Sequence, residues 1–184
     1  NRASLTDPNL NTTTFAYDPF NRLMTQTDQA HHASSFLYDA DGNLVQQTDR
    51  NGRTIKYLYD HFNHRLLEQW FDYNSSTPSH VIHTSYDADG YLLALSDSNA
   101  SYQYSYDDIH RVIAIANDGT PGLPPTTLGY TYDRDSRITS VSARVNHVLV
   151  LTTNYLYDPT TLRLTSIRQS GPALAQLRVD RTEP

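Results

Sequence analysis

Polar and hydrophobic residues alternate along most of the chain. Thr13, Phe15 and Tyr17 would share one face of an extended segment. A second segment repeats this pattern more strictly, with tyrosine at every other position: Tyr102, Tyr104 and Tyr106, separated by Gln103 and Ser105. A period of two is typical of a β-strand with one face more buried than the other. The pattern predicts an all-β chain of about fourteen short strands and no long amphipathic helix.

A tyrosine-aspartate pair recurs seven times, every 20 to 27 residues. The pairs are Tyr17-Asp18, Tyr38-Asp39, Tyr59-Asp60, Tyr86-Asp87, Tyr106-Asp107, Tyr132-Asp133 and Tyr157-Asp158. Recurrence at this spacing is typical of a repeat architecture. The sequence therefore predicts one array over residues 1–184, with about seven repeats, each made of a strand, a tight turn, a second strand and another turn.

Turn chemistry follows each pair. Asp39 is followed by Gly42, and Asp87 by Gly90, in the order Asp-x-Asp-Gly. This order fits a type I turn closed by a left-handed residue, or a two-residue hairpin. The fourth residue after each tyrosine is Asn21, Gly42, Asn63, Gly90, His110, Ser136 or Thr161. Because glycine and asparagine tolerate positive φ best, looser turns are predicted in the last three repeats.

An apolar residue follows each turn, six places after the tyrosine in most repeats. It comes seven places after in the third and seventh repeats, as Leu66 and Leu164, which predicts turns one residue longer there. A 21-residue period with two three-residue loops would place successive tyrosines on opposite faces. A continuous tyrosine face therefore requires either one even loop or a β-bulge in each regular repeat.

Consecutive hairpins are expected to pair locally into one long, twisted antiparallel strip. Residues 118–127, DGTPGLPPTT, are predicted to be a Pro/Gly-rich loop insertion. Residues 173–179 fit either a short helix or one more strand.

Composition narrows the class of protein. The net charge of −6 provides no basic stripe, so nucleic-acid binding is not expected. The absence of cysteine leaves neither disulfides nor a thiolate metal site. No apolar run approaches the ~20 residues of a membrane span, so membrane insertion is not expected.

The fuller signature, YDxxGxL followed by TD and a Gly-bearing turn, resembles the RHS/YD-repeat family. The best matches are YDADGNLVQQTDRNG at 38–52 and YDADGYLLALSD at 86–97, and the resemblance extends from Asn1 to about Gln169. It implies a β-hairpin strip that spirals into a hollow shell, as in Tc toxins, bacterial polymorphic toxins and teneurins.

The family resemblance also implies a non-enzymatic, extracellular or cell-surface role in which the strip encapsulates or displays another polypeptide. The expected partners are neighbouring repeats of a longer chain or an encapsulated polypeptide. Because the first residues resemble the back half of a repeat, the chain is interpreted as a segment of a longer array, with self-association through its strand edges. The Asp-Pro pairs lack the context of the family's self-cleavage segment, so cleavage is not expected.

Other chemistry has weaker support. The Asp-x-Asp-Gly sequences resemble the start of a calcium loop, but the bidentate glutamate that closes such a loop is missing, and the turn explains the same residues. The pairs His61 with His64 and His80 with His83 would point to opposite faces of a strand. There is no cysteine and no G-x-S-x-G elbow. No metal, cofactor or enzymatic activity is predicted.

Tyrosine supplies the competing hypothesis. The chain has 14 tyrosines and a single tryptophan. Exposed aromatic rows could stack on sugar rings, which would make the chain a carbohydrate- or cell-surface-binding module. The residues for such a face are Tyr102, Tyr104, Tyr130 and Tyr155.

Overall fold

A computed structural model describes residues 1–117 and 120–172 of the chain. These residues form fifteen β-strands and divide into two compact units, with the boundary between Ser85 and Tyr86. Within the described ranges, no helix has the length and apolar character to cross a membrane.

The strands are short and closely spaced. The first unit contains β1 Ser4–Thr6, β2 Thr12–Tyr17, β3 Leu23–Thr27, β4 Ala33–Tyr38, β5 Leu44–Thr48, β6 Thr54–Tyr59, β7 Arg65–Phe71 and most of β8 His80–Tyr86. The second contains β9 Leu92–Ser96, β10 Ser101–Tyr106, β11 Val112–Asn117, β12 Thr126–Tyr132, β13 Ile138–Val145, β14 Val148–Tyr157 and β15 Leu164–Ser170.

Strand order follows chain order. From β1 to β8, and again from β9 to β15, each strand pairs antiparallel with the next one along the chain. The predicted all-β fold of consecutive antiparallel hairpins is confirmed. The prediction of one array over residues 1–184 stays a prediction.

The two faces of the strands differ in exposure. We call the face that carries the tyrosines of the Tyr-Asp pairs the tyrosine face. In β6 its residues Ile55, Tyr57 and Tyr59 are half-buried, whereas Lys56 and Leu58 on the other face are exposed, Leu58 by 56%. No apolar side chain among the described residues is fully buried. Apolar packing in each unit is therefore between neighbouring hairpins of one sheet layer.

The two turns of the first repeat have the same form. The Asp18 N–H donates to the Arg22 carbonyl, and the Asn21 N–H donates to the Asp18 carbonyl. The next turn repeats these bonds between Asp28 and His32 and between His31 and Asp28. Asn21 and His31 have φ of 65° and 64°. Each of these two loops is thus three residues long, a type I turn closed by a left-handed residue, so the predicted even loop is absent from the first repeat. Two-residue loops do occur at Ser98-Asn99 and at Asn146-His147.

A β-bulge keeps the tyrosines on one face. Tyr17 pairs with Leu23 but Ala16 pairs with Thr25, so Met24 is the extra residue. The same shift follows the tyrosine in the other Tyr-Asp hairpins whose register is described. The bulge reverses the facing of the following strand, which confirms the second of the two predicted solutions.

Several details of the turns correct the sequence predictions. His110 and Ser136 have φ of 62° and 63°, so the fifth and sixth turns are as tight as the glycine turns. The third turn is regular, because the Asp60 N–H bonds the His64 carbonyl and Leu66 is the bulge residue. Only the prediction for the seventh repeat, of a turn one residue longer, was right.

In the seventh turn the Asp158 N–H reaches the Arg163 carbonyl, and Leu162 takes the left-handed position with φ of 60°. Within the predicted loop insertion at 118–127, β12 already begins at Thr126. Residues 118–119 and the predicted helix or strand at 173–179 lie outside the described residues.

Candidate functional site

The aspartate of each Tyr-Asp pair accepts hydrogen bonds from its own turn. Oδ1 of Asp107 accepts the N–H groups of Ile109 and Arg111 at 3.1 and 2.9 Å, and Oδ2 accepts Nε of Arg111 at 2.7 Å. These bonds, the Arg111 N–H first, lower the pKa of Asp107, so the carboxylate is ionised at neutral pH. Asp18 and Asp133 make the same contacts.

Five of the tyrosines of these pairs bond back to the preceding repeat. The Tyr59 hydroxyl donates to the Leu44 carbonyl at 3.0 Å, and the Tyr132 hydroxyl to the Val112 carbonyl at 2.6 Å. Tyr38, Tyr106 and Tyr157 make the equivalent bond to Leu23, Leu92 and Ile138. In every case the acceptor lies six residues after the previous repeat's tyrosine. Burial raises the pKa of Tyr59 and Tyr106, which keeps these hydroxyls protonated as donors.

Arginine five residues after the tyrosine completes the link, and the sequence predictions missed it. Arg22, Arg111 and Arg137 bond their own aspartate through Nε and lie 4.7, 4.5 and 4.9 Å from the ring centre of the next repeat's tyrosine. Arg111 also donates to the Asp133 carbonyl at 3.1 Å. The recurrence of arginine at this position was the available signal.

Other side chains at this position join neighbouring turns differently. Nδ2 of Asn43 bonds Oδ2 of Asp39 at 3.0 Å and Oδ1 of Asn63, in the next turn, at 2.6 Å. Tyr91 stacks on His110, with ring centres 4.2 Å apart and an interplanar angle of 5°. We call the tyrosine hydroxyl bond and the contact from this position the inter-repeat lock.

The candidate metal ligands either form hydrogen bonds within turns or lie on a strand. Asp87 Oδ1 accepts the N–H groups of Asp89 and Tyr91, and Nδ1 of His64 lies 3.0 Å from Asp60 Oδ2. His80 and His83 face opposite sides of β8, paired with Trp70 and Leu67. Within residues 1–117 and 120–172, no group of three potential ligands converges.

The four tyrosines of the glycan hypothesis lie on the tyrosine face of the second unit. Tyr102 is 36% exposed. Tyr104, Tyr130 and Tyr155 are half-buried and pair with Ile115, Val141 and Ile167. The hypothesis that this face binds glycans stays a prediction.

A cleft of about 390 Å³ on the first unit was not foreseen. Phe36, Gln47, Ile55 and Trp70 form a row across β4 to β7, each paired with the next, and all four line the cleft. They lie on four strands of two hairpins, so their proximity follows from register and has no sequence signal.

Comparisons with known proteins identify the class of fold. The RHS Repeat family model matches residues 38–69. No curated protein matches the chain. The chain is similar to the solved structure TcdB2-TccC3-Cdc42, with a TM-score of 0.67 and 21% identity. It is similar also to the Tc holotoxin pore of Photorhabdus luminescens, with a TM-score of 0.68 and 22% identity. Each match covers 91% of this chain but 9% of the other.

The fold is therefore that of an antiparallel hairpin array shared with Tc toxin structures. The predicted resemblance is confirmed, and residues 38–69, which include β5, β6 and most of β7, match the RHS Repeat model. The chain is a structural repeat module. It spans about a tenth of the length of the toxin chains it matches.

Proposed function

We propose that this module is part of the wall of an RHS-type shell that encloses another polypeptide and has no enzymatic activity of its own. The inter-repeat lock is the observation that carries the proposal. Within each unit it joins neighbouring Tyr-Asp turns at one end of the hairpins, so the hairpins add sideways with a constant facing. A surface built by lateral addition of hairpins suits a wall.

The exposure of side chains supports the same role. The described part has no closed apolar core, and its tyrosine face is half-buried while the other face carries exposed residues such as Leu37 and Leu58. A sheet layer with two unlike faces suits a boundary between two compartments. The polar groups that catalysis would need are largely occupied in turns. The similarity to Tc toxin structures favours a secreted toxin component whose partners are further repeats and an enclosed polypeptide.

Face-specific labelling tests the proposal. The chain has no cysteine, so single cysteines can be introduced cleanly. Ser34 and Ser35 are adjacent, half-buried and on opposite faces of β4, which makes Ser34→Cys and Ser35→Cys a matched pair. We expect both to react with a bulky maleimide in the isolated chain. In the full natural polypeptide we expect only one of them to react quickly.

Equal reactivity of the two cysteines in the full polypeptide would contradict a wall. It would favour an open binding module, the alternative in which Tyr102, Tyr104, Tyr130 and Tyr155 contact glycans. Loss of glycan binding in Tyr102→Ala and Tyr104→Ala with the fold retained would then identify that surface.

A further inference from the structure

Trp70 is the only tryptophan of the chain and lines the cleft of the first unit. Its side chain is 44% exposed. The indole N–H already donates to Oε1 of Glu68 at 2.6 Å, so the ring needs no further polar partner. Oε2 of Glu68 in turn lies 2.9 Å from the Arg65 guanidinium, and Glu68 is only 9% exposed. The ring is therefore held in place by a buried, paired carboxylate.

A carboxylate that accepts the indole N–H makes the ring richer in electrons. Tryptophan is the aromatic side chain that attracts cations most strongly. Elsewhere in the described residues, an arginine or lysine lies over the rings of Phe20, Tyr38, Tyr57, Phe71, Tyr132 and Tyr157. No arginine or lysine of the described ranges lies over Trp70. His80 meets its ring at the edge, with centres 5.9 Å apart.

The polar lining of the cleft suits a donor-rich cation. Asp72 lines the cleft and forms no ion pair within the described ranges. Gln47 is half-buried, and its amide makes no hydrogen bond to a described residue. Arg53, the one cation of the lining, is bound to Asp49 at 2.7 Å. The net charge of the lining is thus negative by one, from Asp49 and Asp72 against Arg53.

We propose that this cleft binds a guanidinium group, such as an arginine side chain of a bound segment. The planar cation stacks on Trp70, as Arg22, Arg111 and Arg137 stack on tyrosine rings in the inter-repeat lock. Its N–H groups donate to the Asp72 carboxylate and the Gln47 amide oxygen. The cleft volume exceeds what the guanidinium alone occupies, which leaves room for its alkyl stem against Phe36 and Ile55. This site is independent of the proposed wall.

Fluorescence of the single tryptophan gives a direct readout. We expect Nα-acetyl-arginine amide to change Trp70 emission saturably. Its neutral isostere, Nα-acetyl-citrulline amide, has the same shape and should bind at least about tenfold more weakly, because the cation–π attraction and the charge-assisted bond are lost. Equal binding of the two compounds, tighter binding of a neutral sugar such as maltose, or no binding of the arginine compound would overturn the proposal.

Two variants locate the site. Asp72→Asn should weaken binding by about threefold to tenfold, while Asp108→Asn, the same change at an exposed residue of the other unit, should leave it unchanged. Trp70→Leu, followed by calorimetry since the fluorescence is lost, should abolish binding in a protein whose circular dichroism matches the parent. Full affinity in Trp70→Leu would place the ligand elsewhere and refute the proposal.

Discussion

The two turns of the first repeat share one local structure but differ in what surrounds them. At Asp18 and at Asp28 the backbone makes the same three-residue loop, and the carboxylate accepts the same N–H group four residues ahead. In this repeat only the Tyr-Asp turn adds a bulge, a hydroxyl bond from the next repeat's tyrosine and an arginine contact to that tyrosine's ring. The hydrogen bonds of the turns therefore close a hairpin at either turn. The inter-repeat lock, which is found only at the Tyr-Asp turn, joins one hairpin to the next.

The largest effect is expected from deleting a bulge residue. Removing Thr139 would pair β12 and β13 in continuous register and turn the side chains of β13 towards the wrong face. We expect a loss of more than about 3 kcal/mol of unfolding free energy, measured by urea denaturation. Deletion of Ser76, in the exposed loop between β7 and β8, is the control and should cost far less. Near-normal stability without Thr139 would refute the role of the bulge.

Removal of one tyrosine hydroxyl separates the lock from simple packing. Tyr132→Phe loses the 2.6 Å bond to the Val112 carbonyl and leaves that acceptor unpaired, so we expect about 1 kcal/mol of destabilisation. Tyr130→Phe, on the same strand and face, removes a hydroxyl with no described bond and should be nearly neutral. Denaturant midpoints measured side by side give the comparison. Equal losses would mean that the hydroxyl bond adds nothing to packing.

Arginine at the lock position should contribute somewhat less. Arg111→Ala removes the fork to Asp107, the bond to the Asp133 carbonyl and the contact with the Tyr132 ring. We expect a loss of about 0.5–1 kcal/mol, because the guanidinium is partly exposed. Arg134→Ala, exposed in the next turn, is the control. Arg111→Lys should recover only part of the loss, since an ammonium cannot form the fork. Full recovery with lysine would show that charge alone matters.

Acid is expected to weaken both kinds of turn. Backbone hydrogen bonds lower the pKa of Asp107 and Asp28, one at each kind of turn. Their stabilisation is present above the unfolded aspartate pKa, about 3.9, and is lost as pH falls through the lower folded value. Acid should therefore weaken both ends together, as followed by circular dichroism.

Burial raises the pKa of Tyr59 and Tyr106 above the ordinary value of about 10. Their contribution is present below that value and is lost as pH rises through the folded pKa. Only the Tyr-Asp end should respond, and tyrosinate absorbance should rise together with the loss of β signal. A rise in absorbance without loss of structure would show that the hydroxyl bonds are not stabilising.

The sequence predicts those features of the fold that depend on residues close to one another along the chain. Alternation, the Tyr-Asp spacing and the Asp-x-x-Gly turns act within a few residues, and they predicted the strands, hairpins and strand order. The alternation of side chains between the two faces predicted that each regular repeat must contain either an even loop or a β-bulge. The prediction of looser turns failed at His110 and Ser136, because a residue other than glycine or asparagine adopts positive φ when the three-residue loop requires it, and histidine is among the residues enriched there.

What the sequence alone determined was the local order of strands, turns and repeats, because backbone geometry and turn preferences act over a few residues. Only the tertiary structure decided between an even loop and a bulge, and only it placed Arg111 on the Tyr132 ring and brought Trp70, Phe36 and Gln47 into one cleft. Both arrangements bring together residues of more than one hairpin. Their geometry depends on register and sheet twist summed over several strands, which no short stretch of sequence specifies.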